Sequence, residues 1–178
     1  MKLHTVRTNV DRGIGARHAH RLYNVLFPIW LLWLFPQTWV FILPGNLIID
    51  MLVLILALTV LRCPMKKAVL RRAWWRVWLN GFLADTAGVF WMMAGMFSTV
   101  SGGGWWEENI TPIMGSPFRT LLALSWTLIG VAVAGVCIYL LDRRTLGRCP
   151  ELNARQAHAA ALALAVITAP WLFLLPMY

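Results

Sequence analysis

Two aspartates, Asp50 and Asp85, lie inside long apolar stretches of the sequence. A charged aspartate at the middle of a bilayer costs roughly 2.5–3.5 kcal/mol on insertion scales, so such residues normally face a protein interior or water. Carboxylates in this setting serve as stations for protons or cations. They also serve as structural contacts, such as a helix cap or the partner of a buried arginine. Both interpretations are open from the sequence.

Two polar neighbours extend the pattern: Asn46 lies four residues before Asp50, on the same helical face, and Thr86 follows Asp85 directly. We therefore predict that Asn46, Asp50, Asp85 and Thr86 line a polar path. Counted from the predicted helix ends, Asp50 and Asp85 are separated by roughly 10–14 Å across the membrane. That distance suits successive stations of a path or two unrelated contacts, and it is too long for two ligands of one ion.

The elements that position these residues are apolar segments long enough to cross a membrane. Of the 178 residues, 60% are hydrophobic and 13% are charged, and a membrane-spanning helix needs about 20 apolar residues. The fold predicted from this pattern is all-α, a polytopic integral membrane helical bundle of about five transmembrane helices that forms a single domain over residues 1–178. The predicted spans are 22–43, 46–61, 77–97, 118–141 and 158–177.

Prolines interrupt the first predicted span, 22–43. Pro28, Pro36 and Pro44 each remove a backbone donor that lipid cannot replace. A kink or break at Pro36 is expected, and a four-span arrangement is the alternative.

The distribution of basic residues predicts the orientation. Fifteen of the sixteen Lys and Arg residues fall on one side of the five-span arrangement, and only Arg119 falls on the other. Such an excess is typical of cytoplasmic loops, which also meet anionic lipid headgroups. We therefore predict a cytoplasmic amino terminus and a plasma-membrane location, with a bacterial inner membrane favoured. Because the basic residues flank apolar spans, the net charge of +9 does not predict a nucleic-acid partner.

Residues 62–76 contain six of the basic residues and read as a basic amphipathic segment. This segment either lies on the cytoplasmic leaflet or extends the third span into the cytoplasm. Trp74, Trp75 and Trp78 are expected at the membrane interface in both cases.

Small residues mark the predicted packing faces. Gly81, Gly88 and Gly95 recur every seven residues in the third span, while Val89 is expected to face lipid. A similar face in the fifth span consists of Ala157, Ala161, Ala165 and Ala169. These faces either pack within one chain or join copies into a homo-oligomer or to other membrane subunits.

The loop between the third and fourth predicted spans is rich in glycine and tryptophan. Residues 102–104 are all glycine and predict a flexible joint, after which Trp105 and Trp106 return to the interface. Glu107 and Glu108 are expected in a solvated turn.

The sequence contains no arrangement of residues that predicts catalysis. No Ser, Cys or His pattern combines a nucleophile with a base, and His18 and His20 lack clustered partners for a metal. The three cysteines have no evident disulfide partners. We therefore predict no enzyme activity, no cofactor and no metal site.

Two functions remain for an all-helical membrane protein of this kind. The leading hypothesis is a small transport or channel-like protein, oligomeric, with Asp50 and Asp85 along its path. The alternative is a non-catalytic membrane subunit or scaffold that stabilises a larger complex through its small-residue faces.

Overall fold

A computed structural model describes residues 35–176, apart from the side chains at positions 99–101. The predicted cytoplasmic amino terminus, the five basic residues within it, His18 and His20, and positions 22–34 of the first predicted span lie outside the described residues. The described part of the chain contains helices and no strand. Its α-helices are α1 (Pro36–Val60), α2 (Lys66–Ser101), α3 (Gly104–Asn109), α4 (Leu121–Leu146) and α5 (Ala154–Ile167).

Three segments within residues 35–176 are long and apolar enough to cross a membrane: Pro36–Val60, Leu121–Leu146 and Ala154–Leu174. Their outer faces carry large exposed apolar side chains, such as Phe41 on α1 and Leu140 on α4. A water-soluble protein buries most side chains of this kind against its core, whereas a bilayer solvates them. The protein is therefore an α-helical membrane protein.

Helix α1 corrects the predicted boundary between the first two spans. Those spans were expected to end at 43 and restart at 46, yet α1 is continuous from Pro36 through Pro44 to Val60. Pro36 occupies the first helical turn, where a missing N–H is tolerated. Around Pro44 the helix is fastened to α2, because the Trp78 indole donates to the Leu43 carbonyl at 2.9 Å.

Helix α2 joins the basic segment 62–76 to the third predicted span. It runs without interruption over 36 residues, so the basic segment is mostly an extension of that span and not a separate surface helix. Its buried face continues across the join through Val69, Ala73 and Val77, which holds both parts in one helix. At 1.5 Å per residue the helix is about 54 Å long, longer than the hydrocarbon core of about 30 Å.

Helices α1, α2, α4 and α5 form an antiparallel four-helix bundle in which each helix contacts two neighbours. The turn between α1 and α2 meets the turn between α4 and α5: Gln156 donates to the Leu61 carbonyl at 3.1 Å, and Arg72 lies 3.6 Å from Glu151. Both turns and their flanking helix ends carry basic residues. We call this the basic end of the bundle; Arg119 lies at the opposite end.

The segment between α2 and α4, residues 102–120, contains short helical elements, and we call it the cap. It consists of α3 and two short 3-10 turns, Thr111–Met114 and Pro117–Arg119, which pack on α2 and α4 through buried Ile110 and Ile113. Of the three glycines, Gly103 has a positive φ of 69°, a conformation that glycine adopts readily. Glu107 and Glu108 are exposed.

A tryptophan pair joins α2 and α4 next to the cap. Trp91 and Trp126 stack with their ring centroids 4.7 Å apart, and each indole N–H donates to the other residue's carbonyl, at 3.0 and 3.3 Å. Trp106 of α3 packs edge-on against Trp126 at 6.3 Å. The contact of Trp106 with Trp126 therefore holds α3 against the tryptophan pair of the bundle.

The ends of α4 and α5 also differ from the predicted span boundaries. Helix α4 continues five residues past the predicted end at 141, to Leu146. Helix α5 begins with a capping box of Asn153 and Gln156 and stops at Ile167, so the predicted span 158–177 is not one helix. Pro170 cannot donate to a continuing helix, and a 3-10 turn, Trp171–Leu174, follows it.

Candidate functional site

Three aspartates from three different helices are buried inside the bundle. Asp50 on α1, Asp85 on α2 and Asp142 on α4 have exposed fractions of 4%, 7% and 1%. Uncharged polar side chains accompany them. We use the term carboxylate cluster for Asp50, Asp85 and Asp142 together with Asn46, Asn80 and Thr145.

Asp85 is hydrogen-bonded to Asn46, which is also one of the residues predicted to line the polar path. The Asn46 amide donates to Asp85 Oδ2 at 3.0 Å across the α1–α2 interface. The second oxygen, Oδ1, is buried and has no hydrogen-bond partner among the described residues. The donor that the structure gives to Asp85 is therefore a neutral amide, and not the arginine or the backbone group expected for a structural role.

Asp50 lies against the backbone of α2 at Gly81. A Cβ atom at position 81 would come within 2.9 Å of Asp50 Oδ2, so the absence of a side chain there makes room for the carboxyl group. Thr168 lies beside Asp50, but its hydroxyl hydrogen bonds the Leu164 carbonyl at 2.9 Å. Asp50 Oδ2 is buried and has no hydrogen-bond partner in the described structure.

Asp142 and Asn80 were not among the residues singled out from the sequence. The Asn80 amide donates to Asp142 Oδ1 at 2.8 Å and to the Thr145 hydroxyl oxygen at 2.9 Å. A signal for Asp142 was present, since it continues the four-residue spacing of Gly130, Ala134 and Ile138, which are all buried. Arg143 and Arg144, which follow Asp142 directly, indicated the end of the span at that point.

The predicted distance between Asp50 and Asp85 is wrong. Asp50 contacts position 81 and Asp85 lies four residues further along the same helix, which is about 6 Å of helix axis, against the 10–14 Å expected. The reason is the continuity of α1, because Asp50 lies near the middle of a 25-residue helix and not close to its start. Asp50 is also near enough for its charge to act on both Asp85 and Asp142.

Thr86 is not brought into the carboxylate cluster by any hydrogen bond of the described structure. Its hydroxyl donates to the Phe82 carbonyl of its own helix at 2.8 Å. This local bond uses the one hydrogen that Thr86 can donate. Asn46, Asp50 and Asp85 thus come together, and Thr86 stays apart.

The glycines of α2 lie at close helix contacts. A Cβ atom at Gly88 would be 3.2 Å from the Ala134 Cβ and 3.3 Å from the Gly130 carbonyl oxygen of α4, and one at Gly95 would be 2.6 Å from the Trp126 indole nitrogen. Val89, expected to face lipid, is instead buried, because the cap and α4 cover α2 on adjoining faces. On and just after α5, the alanines of the predicted face are all buried: Ala157, Ala161, Ala165 and Ala169.

The three cysteines are free thiols, and Cys63 and Cys149 are buried at the basic end. Burial raises the pKa of the Cys149 thiol, and the nearby Glu151 carboxylate raises it further. A raised pKa keeps the sulfur in its unreactive protonated form at neutral pH. Cys149 therefore has the character of a structural cysteine and not of a nucleophile.

The carboxylate cluster has the composition of a site for protons or small cations. The donors that the structure gives to Asp85 and Asp142 are neutral amides, which leave the negative charge of a carboxylate uncompensated. Within residues 35–176, no three His, Cys, Asp or Glu side chains converge as a bound metal ion requires.

Comparison with known proteins gives no further indication of function. No family model, no curated protein and no solved structure matches this chain. The functional argument therefore depends on the geometry of the bundle.

Proposed function

We propose that this protein is a small multi-pass transport protein that passes a proton or a small inorganic cation along its carboxylate cluster. One observation carries the proposal: Asp50 Oδ2 and Asp85 Oδ1 are buried within the bundle and have no hydrogen-bond partner among residues 35–176. A buried carboxylate oxygen without a donor costs several kcal/mol in a purely structural role. The cost is explained when the free oxygen receives a transported species.

The order of the groups defines the proposed path. Asp142 and Asn80 come first from the basic end, Asp50 beside Gly81 follows, and Asp85 with Asn46 comes last. Along α2, residues 80 to 85 cover about 7.5 Å of the membrane normal. Neighbouring carboxylates in this order act on each other electrostatically, so a positive charge bound at one is attracted to the next.

The proposed orientation places the basic end in the cytoplasm, where it meets anionic headgroups. It corresponds to the predicted cytoplasmic amino terminus, bacterial inner membrane and five spans, of which α1, α2, α4 and α5 supply four. In a cysteine-free background, Lys67→Cys and Arg148→Cys are expected to react with a membrane-impermeant thiol reagent only after the cytoplasmic side is exposed. Gly103→Cys, in the cap, is expected to react from outside. Labelling of positions 67 and 103 from the same side would contradict this orientation.

Flux in liposomes tests the proposed function. The purified chain, reconstituted in the oligomeric state in which it is isolated, is expected to dissipate an imposed gradient of H⁺, Na⁺ or K⁺ well above protein-free liposomes. Comparing the three gradients identifies the transported species. Absence of flux with all three would reject transport and favour the alternative function, a non-catalytic subunit or scaffold. That alternative predicts a partner that remains bound in mild detergent.

A further inference from the structure

A second polar group lies apart from the carboxylate cluster, on the outer surface of α4 and α5 near the basic end. The Tyr139 hydroxyl oxygen is 2.7 Å from His158 Nδ1, and an Arg143 guanidinium nitrogen donates to that hydroxyl at 3.2 Å. The guanidinium also lies 5.9 Å from the centre of the Tyr139 ring. Arg143 and His158 are exposed, so these contacts fix an arginine on a surface that faces lipid and its headgroups.

Counting hydrogens shows that this group has donors left for an acceptor. If Tyr139 donates to His158 Nδ1, a neutral His158 carries its own hydrogen on Nε2. If His158 donates instead, the Tyr139 hydroxyl hydrogen is left. Arg143 has five N–H donors and gives one of them to Tyr139. In both tautomers the group therefore offers positive charge and hydrogen-bond donors, which is the complement of an anionic oxygen.

An apolar groove leads away from this group between α4 and α5. It has a volume of about 410 Å³ and extends from Tyr139 past Ala132 and Leu162 to Trp171. Small side chains create it: a Cβ atom at Gly135 would lie 3.5 Å from the Ala165 carbonyl oxygen. From Tyr139 to the far end of the groove on α4 is eight residues, or about 12 Å of helix.

We propose that this groove is a binding site for one anionic glycerophospholipid. An acyl chain lies along the groove, and the headgroup phosphate accepts hydrogen bonds from Arg143 and from the Tyr139–His158 pair. Arg144, the next residue along α4, is also exposed at the basic end, so the local positive charge exceeds that of Arg143 alone, which favours a net negative headgroup over a zwitterionic one. This inference is independent of transport, because the groove does not involve the carboxylate cluster.

Native mass spectrometry of the full chain in detergent tests the proposal, with phosphatidylglycerol and phosphatidylcholine added in equal amounts. We expect one retained phosphatidylglycerol in clear preference to phosphatidylcholine. Arg143→Gln is expected to lower phosphatidylglycerol retention about fivefold, the effect of one basic residue at a headgroup. Arg148→Gln, a charge change at another exposed residue of the basic end, is the matched control and is expected to leave retention within about twofold.

A second pair of variants tests the groove itself. Ala132 is exposed and lines the groove, so Ala132→Leu fills it without entering the core and is expected to reduce retention of both lipids. Ala94→Leu makes the same change at an exposed position of α2 and is expected to have no effect. Equal retention of the two lipids, or equal loss from Arg143→Gln and Arg148→Gln, would overturn the site. So would a dimer that Ala132→Leu dissociates while lipid retention stays unchanged, since a second copy would then be the occupant.

Discussion

Replacing Gly88 by leucine is expected to lower the free energy of unfolding in detergent by about 3 kcal/mol or more. Even the first added atom, Cβ, would lie 3.0 Å from the Phe173 ring, 3.2 Å from the Ala134 side chain and 3.3 Å from the Gly130 carbonyl oxygen. Two of these contacts belong to the facing helix α4, whose backbone cannot move aside without opening the bundle. Thermal or denaturant unfolding in mild detergent measures the loss.

Gly45 provides the matched control for this change. It is a helical glycine as well, on α1, and a Cβ atom at position 45 would have nothing within 4 Å. Gly45→Leu is expected to be neutral or to stabilise by up to about 1 kcal/mol, because leucine restricts the unfolded chain more than glycine does. Equal losses at positions 88 and 45 would mean that Gly88 does not mark a close helix contact.

The glycine spacing of α2 shows what a sequence pattern can and cannot indicate in a membrane helix. A repeat of seven residues places Gly81, Gly88 and Gly95 on one face, and the structure places all three against other elements of the fold. The same pattern misplaced Val89, because it describes one contact face. Helix α2 is covered by α1, by α4 and by the cap, and the number of neighbours of a helix is a property of the tertiary fold.

The carboxylate cluster could be predicted in part. Residue type was enough to single out Asp50 and Asp85, because an intramembrane carboxylate is costly wherever it lies. The sequence does not single out Asp142, because Arg143 and Arg144 follow it directly and a basic pair is typical of the membrane edge. A helix turns about 100° per residue, so Asp142 is buried while the two arginines that follow it are exposed.

The depth of Asp50 in the membrane was the property of the carboxylate cluster that the sequence predicted least well. The estimate for Asp50 assumed that Pro44 ends a helix, and a proline does usually break one. Here Trp39 contacts Phe82 of α2, and Trp78 of α2 donates to the Leu43 carbonyl, so α1 is held against α2 on that side of the proline. These contacts join residues 43 and 35 positions apart in sequence. Local preference could not reveal them.

Replacing Asp85 by asparagine is expected to reduce flux at least about tenfold, equivalent to about 1.4 kcal/mol in the barrier. Asparagine has the size of aspartate but neither charges nor titrates, so it removes one station from the path. Its carbonyl oxygen can still accept the hydrogen bond that Asn46 donates to Asp85. The free energy of unfolding is therefore expected to change by less than about 2 kcal/mol, because no buried base loses its counter-charge.

The most direct test of the transport proposal is the ratio of flux between Asp85→Asn and Glu107→Gln, in liposomes that contain equal amounts of folded protein under the same gradient. Glu107 is exposed in the cap at the far end of the bundle, so its substitution also removes one carboxylate, away from the carboxylate cluster. The proposal predicts wild-type flux for Glu107→Gln and at least about tenfold less for Asp85→Asn. Equal flux from the two variants, with both folded, would contradict a path through the buried aspartates.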